Sequence, residues 1–478
     1  MTRPTLAAAS FSQTLDSEAV VRDYFAKAGL SDKLTKVTVT KGLNFKSVEA
    51  EAVADTDPIF MNLLDRSEKI DLDAKGRSVA EQRITNVEIM LVLDVSGSMA
   101  GSKIANLKSA ANEFVDTVLS ADGEGRISIG IVPYNGQVNL PQYLQNAYNA
   151  VDDHGVANVN CFDLPASVYT GLGLSPSMEL PVTGHVDTYS STSTSGFISP
   201  TNSNAVPNPG NRWCPVSSTN VVRAPTNNIA ALQAHINGLS AIGATSINAG
   251  MKWGMALMDP GSRSVMGAMV AQGQTPAVFA GRPYDYGQEE TMKVIVLMTD
   301  GEHFSEERLN DGFRTGASPI YRSSGDGNYS IYINRNNTSN DYWVPHRSEW
   351  RSAPWNSGSG VYQIEWDELW SRQRMSWVAW QLYARPYNSS QAYYNAMDMF
   401  RSKTPIATMN DQLQSVCSRA RDNNVIVYGI AFEAPVNGQT QIRNCATTES
   451  HFFDADGLEI ASAFRAIASN ISQLRLTQ

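Results

Sequence analysis

No run of 18 apolar residues occurs in this 478-residue chain, so no segment reads as a bilayer-spanning helix. The first residues, Met1 to Phe11, lack the apolar centre of a secretory signal. No basic run stands out, and the formal net charge is −10, which argues against nucleic acid as the main partner. The six histidines, at positions 154, 185, 235, 303, 346 and 451, are scattered. No His-Glu pair and no Ser/His/Asp arrangement stands out, so the usual nucleophilic and zinc-hydrolase patterns are missing. Cysteine is scarce, and none of Cys161, Cys214, Cys417 and Cys445 forms Cys-x-x-Cys, which removes zinc-ribbon and thiol-redox motifs. Four cysteines permit two bridges in three pairings. Locality favours Cys161–Cys214 with Cys417–Cys445, against the alternative of four free buried thiols. Disulfides would place the chain in an oxidising compartment.

Hydrophobic content is ordinary at 42%, and the length implies either several domains or one domain with large insertions. The most informative stretch runs from Val87 to Met99. Its apolar residues, Val87 and Ile89 to Leu93, end at Asp94-Val95-Ser96-Gly97-Ser98. A buried parallel strand followed by a Gly-containing turn reads this way. Ligand sites of open α/β sheets collect at the carboxyl ends of strands. Alternate residues of an extended turn face one way, so the oxygens of Asp94, Ser96 and Ser98 can converge. Val294 to Thr299 repeats the pattern and ends at Asp300-Gly301. Gly243-Ala244-Thr245 is a polar turn before a helix. Taken singly, each residue reads as well as a cap or turn former. Together they form an oxygen-only donor set suited to a hard divalent cation.

These residues resemble the metal-ion-dependent adhesion site of a von Willebrand factor A domain. Asp94, Ser96 and Ser98 match its Asp-x-Ser-x-Ser element, Thr245 its distant Thr, and Asp300 its distant Asp after a strand. The resemblance implies a metal held by these five residues, Asp300 acting through water, and one coordination position left for a partner's Asp or Glu. A small, hydroxyl-rich site suits Mg²⁺ over Ca²⁺, with Mn²⁺ as a further hard cation.

Alternation of strands and helices from Val87 onward predicts an α/β fold with a doubly wound, mostly parallel sheet. Strands are expected at Ile127–Val132, Val294–Thr299 and Val425–Phe432. Helices are expected after Gly101, over Asn228–Leu239, Ile247–Met258 and Met409–Asp422, and at the end through Ile460, Phe464, Ile467 and Ile471. Residues 1–86 form a small α+β unit, with Ser17 capping a helix that runs to Gly29. Residues 87–478 form the A domain, interrupted by insertions at 134–226, 260–290 and 303–405. The first insertion is polar and expected to have little hydrophobic content of its own, stapled by Cys161 and Cys214. The third holds seven of the nine tryptophans, between Trp343 and Trp380. They form either a local core or an aromatic contact surface beside the metal. His303 is expected to be an exposed loop residue.

The wider arrangement resembles TadG-type proteins of bacterial tight-adherence (Flp) pilus assembly. The small leading unit with Phe60-Met61-Asn62-Leu63-Leu64, the Leu93–Met99 motif, Cys417 with Asn444-Cys445-Ala446, and the Ile471–Thr477 ending carry it. That resemblance implies an envelope-associated, periplasmic or extracellular protein-binding module, with a membrane-spanning helix that this chain lacks. It implies no enzyme activity. Two rivals use the same aspartates: a metal-dependent, phosphatase-like hydrolase, and a scaffold whose ion stabilises loops. The first usually needs a second carboxylate where Ser96 stands.

Overall fold

The computed structural model describes residues 2–10, 15–41, 45–56, 72–83, 86–120, 122, 125–189, 205–336, 338–358 and 360–473. The expected Phe60–Leu64 segment and the last residues of the Ile471–Thr477 ending lie outside them. Two disulfides are present, Cys161–Cys214 and Cys417–Cys445, the pairing that locality favoured.

Near the amino terminus, α1 (Thr2–Ala9) and α2 (Ser17–Lys27) accompany an antiparallel meander of β1 (Leu34–Lys41), β2 (Phe45–Thr56) and β3 (Leu72–Arg83). Val20, Val21 and Phe25 pack with Ala8, Val48 and Ala50 in a small core of their own. The cap of α2 is Asp16 rather than Ser17: its carboxylate accepts from the Ala19 N–H at 2.9 Å. Both residues suit that position, and the helix starts one residue earlier than a Ser17 cap would place it.

The main sheet begins with β4 (Asn86–Asp94), which leads through a short turn into α3 (Ser102–Ser120) and β5 (Ile127–Tyr134). The first insertion carries α4 (Gln142–Gln145) and the strand pair β6 (Asn149–Val151) and β7 (Glu179–Pro181). After it come β8 (Arg223–Thr226), α5 (Ile229–Gly238), α6 (Ile247–Met258), α7 (Arg263–Ala271) and β9 (Thr291–Thr299). The third insertion holds β10 (Glu306–Leu309), β11 (Ala317–Ser323), β12 (Tyr329–Tyr332), β13 (Tyr342–Val344), β14 (Glu349–Arg351) and β15 (Val361–Glu365). Within it follow α8 (Trp366–Arg372), α9 (Met375–Val378), α10 (Ser390–Phe400) and β16 (Arg401–Thr404). The chain then returns through α11 (Ile406–Asp422), β17 (Val425–Phe432), α12 (Val436–Cys445), β18 (Phe452–Ala455) and α13 (Glu459–Gln473).

The central sheet is α/β in character and mostly parallel, ordered β18-β17-β9-β4-β5-β8. Only β8 runs antiparallel, at one edge. Alternate residues of β4 enter different layers. Ile89, Leu91 and Leu93 pack with Leu107, Phe114 and Val118 of α3 and Phe464 and Ile467 of α13. Met90 and Val92 pack with Met251 and Met255 of α6 and Leu413 and Val416 of α11. A strand covered on both faces needs apolar residues at every position, which is why β4 and β9 read as continuous runs.

Two expectations about the insertions need correction. The first insertion is not poor in apolar anchors. Phe162, Leu164, Val168, Tyr169, Leu174 and Val182 join the same core as α6. They are spaced too irregularly to show a period, so the Ser/Thr/Asn/Pro background hid them. In the third insertion, Trp343, Trp366, Trp370 and Trp377 are buried in a separate core with Ile320, Leu369 and Phe400. Trp366 and Trp370 stack at 5.4 Å between centroids, one helical turn apart. The local-core alternative holds for these rings.

Candidate metal centre

Parallel pairing of β4 with β9, in a register that sets Leu93 opposite Met298, brings two strand ends to one edge. Asp94 ends β4, and Asp300 follows directly on β9. The Ser96 N–H closes back on Asp94 Oδ1 at 2.8 Å, an Asx-type turn that orients the carboxylate. Thr299 Oγ1 donates to Asp94 Oδ2 at 2.7 Å. Ser96 Oγ and Ser98 Oγ lie 3.0 Å apart, and Ser98 Oγ donates to Asp300 Oδ1 at 2.7 Å. One connected set of oxygens thus spans residues 202 positions apart.

Thr245 arrives on the loop before α6. That loop is clipped to the first turn by Ile242 N–H to Val95 O and Gly97 N–H to Gly243 O, each 2.9 Å. Gly243 adopts φ 91°, which an L side chain rarely does. A methyl group built on Gly301 would stand 3.7 Å from Thr245 Oγ1 and 4.0 Å from Ser98 Oγ. Both hydroxyls therefore face the same small space beside Gly301. All five residues singled out in the sequence gather at this edge. Asp94, Ser96, Thr245 and Asp300 are buried, and Ser98 is exposed.

Burial, reinforced by the charge of Asp300, pushes the Asp94 carboxyl up to about 6. A buried carboxylate whose charge a neighbouring carboxylate opposes, in an oxygen-only setting, has the electrostatics of a cation site. Among the described residues no group of three or more His, Cys, Asp or Glu is arranged to hold a metal. The donor set therefore depends on its hydroxyls, and this chemistry fits a small hard cation better than a soft one.

The structure adds residues that the sequence reading missed. Lys103 Nζ donates to Asp300 Oδ2 at 2.9 Å and stands 3.6 Å from Glu433 Oε2. A lysine in the first turn of α3 opposes the helix dipole, and that mismatch was the available signal. Thr299 was legible only once the β4–β9 register was known. His303 is the clearest correction. It is 2% exposed, not a solvent-facing loop residue. Its Nε2 accepts from the Asn248 N–H at 3.0 Å, and its Nδ1 is 2.8 Å from Asn410 Oδ1. Burial pushes its imidazole down to about 4, which keeps the ring neutral so that Nε2 can accept. His303 thereby ties the loop after Asp300 to the start of α6, near Thr245.

No helix among the described residues is long and apolar enough to cross a membrane. No family model and no curated protein matches the chain. Several solved structures are similar in part. The vWF domain of the type V pili tip protein Mfa5 from Porphyromonas gingivalis is 13% identical, with 82% of this chain and 96% of that one covered and a TM-score of 0.34. The pilus adhesin SpaC from Lactobacillus rhamnosus GG is 10% identical over 91% of this chain, which spans 34% of that one, at a TM-score of 0.32. Proximal thread matrix protein 1 from the mussel byssus, with a zinc occupied MIDAS motif, is 9% identical over 80% of this chain and 46% of its own, at a TM-score of 0.28.

Proposed function

We propose that this chain is a metal-dependent protein-binding module of the cell envelope, whose partner completes the coordination of a divalent cation with an Asp or Glu. The observation that carries the reading is the gathering of Asp94, Ser96, Ser98, Thr245 and Asp300 around one space at the carboxyl edge of the sheet. In this reading residues 1–86 are a small leading unit. Residues 87–478 are the doubly wound A domain with its three insertions. The two disulfides fit an oxidising, periplasmic or extracellular setting. The resemblance to TadG-type proteins makes tight-adherence (Flp) pilus assembly the assigned process.

Asp94 and Asp300 would supply the charge, and Ser96, Ser98 and Thr245 neutral oxygens. When bound, Mg²⁺ would supply a Lewis-acidic position open to an incoming carboxylate. The chain's own groups prepare that position. Thr299 and the Ser96 N–H fix the Asp94 carboxylate. Lys103 leaves Asp300 partly neutralised, so the two aspartates do not satisfy a dication fully. The hydroxyl of Ser98 is the exposed member and marks the side from which a partner approaches. Hydrolysis lacks support by the same geometry: the position two residues after Asp94 is a serine, and the one nearby histidine is committed to Asn248 and Asn410.

The test is a pull-down from envelope extract, with Mg²⁺ and with chelator, using wild type and Asp94→Ala. Partner capture should need both the cation and Asp94, while circular dichroism stays unchanged. Equal capture by Asp94→Ala in chelator would defeat the metal-bridge reading. A phosphate-ester assay with Mg²⁺ should show no turnover.

A further inference from the structure

A groove opens directly beside the Thr245 loop. Its volume is about 200 Å³. Its wall includes Tyr189 and Trp213 of the first insertion, Gly243 and Ala244 just before Thr245, and Phe304 and Glu307 after Asp300. Three of these six residues are aromatic. Phe304 is 47% exposed, and its ring centroid lies 6.2 Å from that of the buried Trp213.

Single exposed apolar residues are common on proteins and mean little. Phe304 differs because its backbone is anchored. The preceding His303 turns inward, accepting from the Asn248 N–H and contacting Asn410. The Phe304 N–H itself donates to the Thr245 carbonyl at 2.9 Å. The ring therefore stands out to solvent from a pinned loop. Trp213 is held as firmly. A methyl group on Gly136 would lie only 2.6 Å from its ring, and the adjacent Cys214 is bridged to Cys161. The groove is thus preformed. The Phe304–Thr245 bond also makes it continuous with the cation site, since Thr245 belongs to that donor set.

Among the described residues of the wall, Glu307 alone is charged. Its carboxylate is taken up by Arg401 at 2.6 Å and Lys403 at 3.1 Å. A charged guest would find no free counter-charge here. An apolar side chain would cover the Phe304 ring and displace water from it. The volume suits one side chain, not a helix or a sugar chain. Residues two apart in an extended segment face the same way. A segment whose Asp or Glu enters the cation site can therefore lay a second side chain in the groove. We propose that the groove sets partner choice by taking a large apolar side chain within two positions of the metal-binding Asp or Glu. This inference rests on the cation-bridge reading and narrows its partner to an acidic residue with an apolar neighbour.

The test uses the full chain and labelled Gly/Ser heptapeptides with a central Glu, carrying Phe or Ser at each of the four nearest positions. Binding is read by fluorescence anisotropy in Mg²⁺ and in chelator. At one position at least, Phe should bind about tenfold tighter than Ser, the scale of burying one large apolar side chain. Phe304→Ser should reduce the Phe peptides to the level of the Ser peptides, and Phe304→Leu should keep most of the preference. With p-benzoylphenylalanine at position 304, light should cross-link the Phe peptide. Cross-links only to a second copy, or within the chain itself, would show the groove otherwise occupied and overturn the proposal. Mg²⁺-dependent binding without a preference for Phe overturns the groove and leaves the cation bridge standing. Binding that ignores chelator, or no binding of any peptide, removes the cation bridge and this inference with it.

Discussion

At the scale of the residue, Asp94 concentrates most of the chemistry. Its folded-state carboxyl titrates near 6, above its ordinary 3.8, because burial and Asp300 oppose its charge. Between those values the native state holds a proton that the unfolded chain has lost. The cation-free protein thus gains stability from this group as pH falls through 6. A bound cation competes with the same proton. Calorimetric Mg²⁺ titrations should show affinity falling below pH 6, approaching about tenfold per pH unit for one coupled proton. A flat profile from neutral to acid would remove Asp94 from the ligand set. Lys103 acts in the opposite sense, as a resident positive charge beside Asp300. Lys103→Met should tighten Mg²⁺ binding several-fold by removing that repulsion. Weaker binding would mean instead that Lys103 chiefly holds Asp300 in place.

The five candidate ligands were legible as residues because each stood at a strand end or helix entry marked by glycine. Lys103, Thr299 and His303 were not. Their roles depend on which strands are neighbours and on a loop folding inward, and neither is encoded in a local period. Asn248 and Asn410, the partners of His303, lie 55 and 107 positions from it in sequence.

At the scale of the element, the loops at the sheet edge are set by close approaches of backbone. A methyl group on Gly438 in α12 would stand only 2.1 Å from the Gly301 carbonyl oxygen. Gly438→Ala must push α12 away from the turn that carries Asp300. It should lower Mg²⁺ affinity at least about tenfold while costing roughly 1–3 kcal/mol of stability, measured by calorimetry and by denaturant titration. Wild-type affinity in that variant would show that the turn does not depend on α12. The same face of the sheet shows how an insertion is anchored. Lys252 of α6, fully buried, donates to the carbonyls of Gly171, Leu172 and Gly173 at 2.9, 2.9 and 2.8 Å. The period of α6 was readable, but a lysine inside it gave no hint that its charge serves three carbonyls of a distant loop.

At the scale of the whole molecule, the alternation of buried strands and amphipathic helices was sufficient to predict the mostly parallel sheet. The edge strands β8 and β18, each four residues long, were too short to carry a signal. The insertions resisted because they lack regular period, yet two of them are tied together by charge. Arg314 of the third reaches Asp153 at 2.6 Å and Asp163 at 3.1 Å in the first, and Arg374 reaches Asp187 at 2.9 Å. The Cys161–Cys214 bridge closes a span of 53 positions, for which chain-entropy reasoning gives about 4 kcal/mol. Replacing both cysteines by serine should expose the first insertion to limited proteolysis while hydrogen exchange in β4 and β9 stays slow. Loss of protection in those strands would show that the insertion and the sheet unfold together.

The two strands that end in Asp94 and Asp300 are immediate neighbours, matched through eight consecutive residue pairs from Asn86–Thr291 to Leu93–Met298. A tensile pull delivered at their tips would run along the strand axes. It would draw both strands the same way, so shear would fall on the ladders to their outer neighbours, β17 beside β9 and β5 beside β4. All bonds of a ladder would bear it at once, where a pull across the strands would open them one after another.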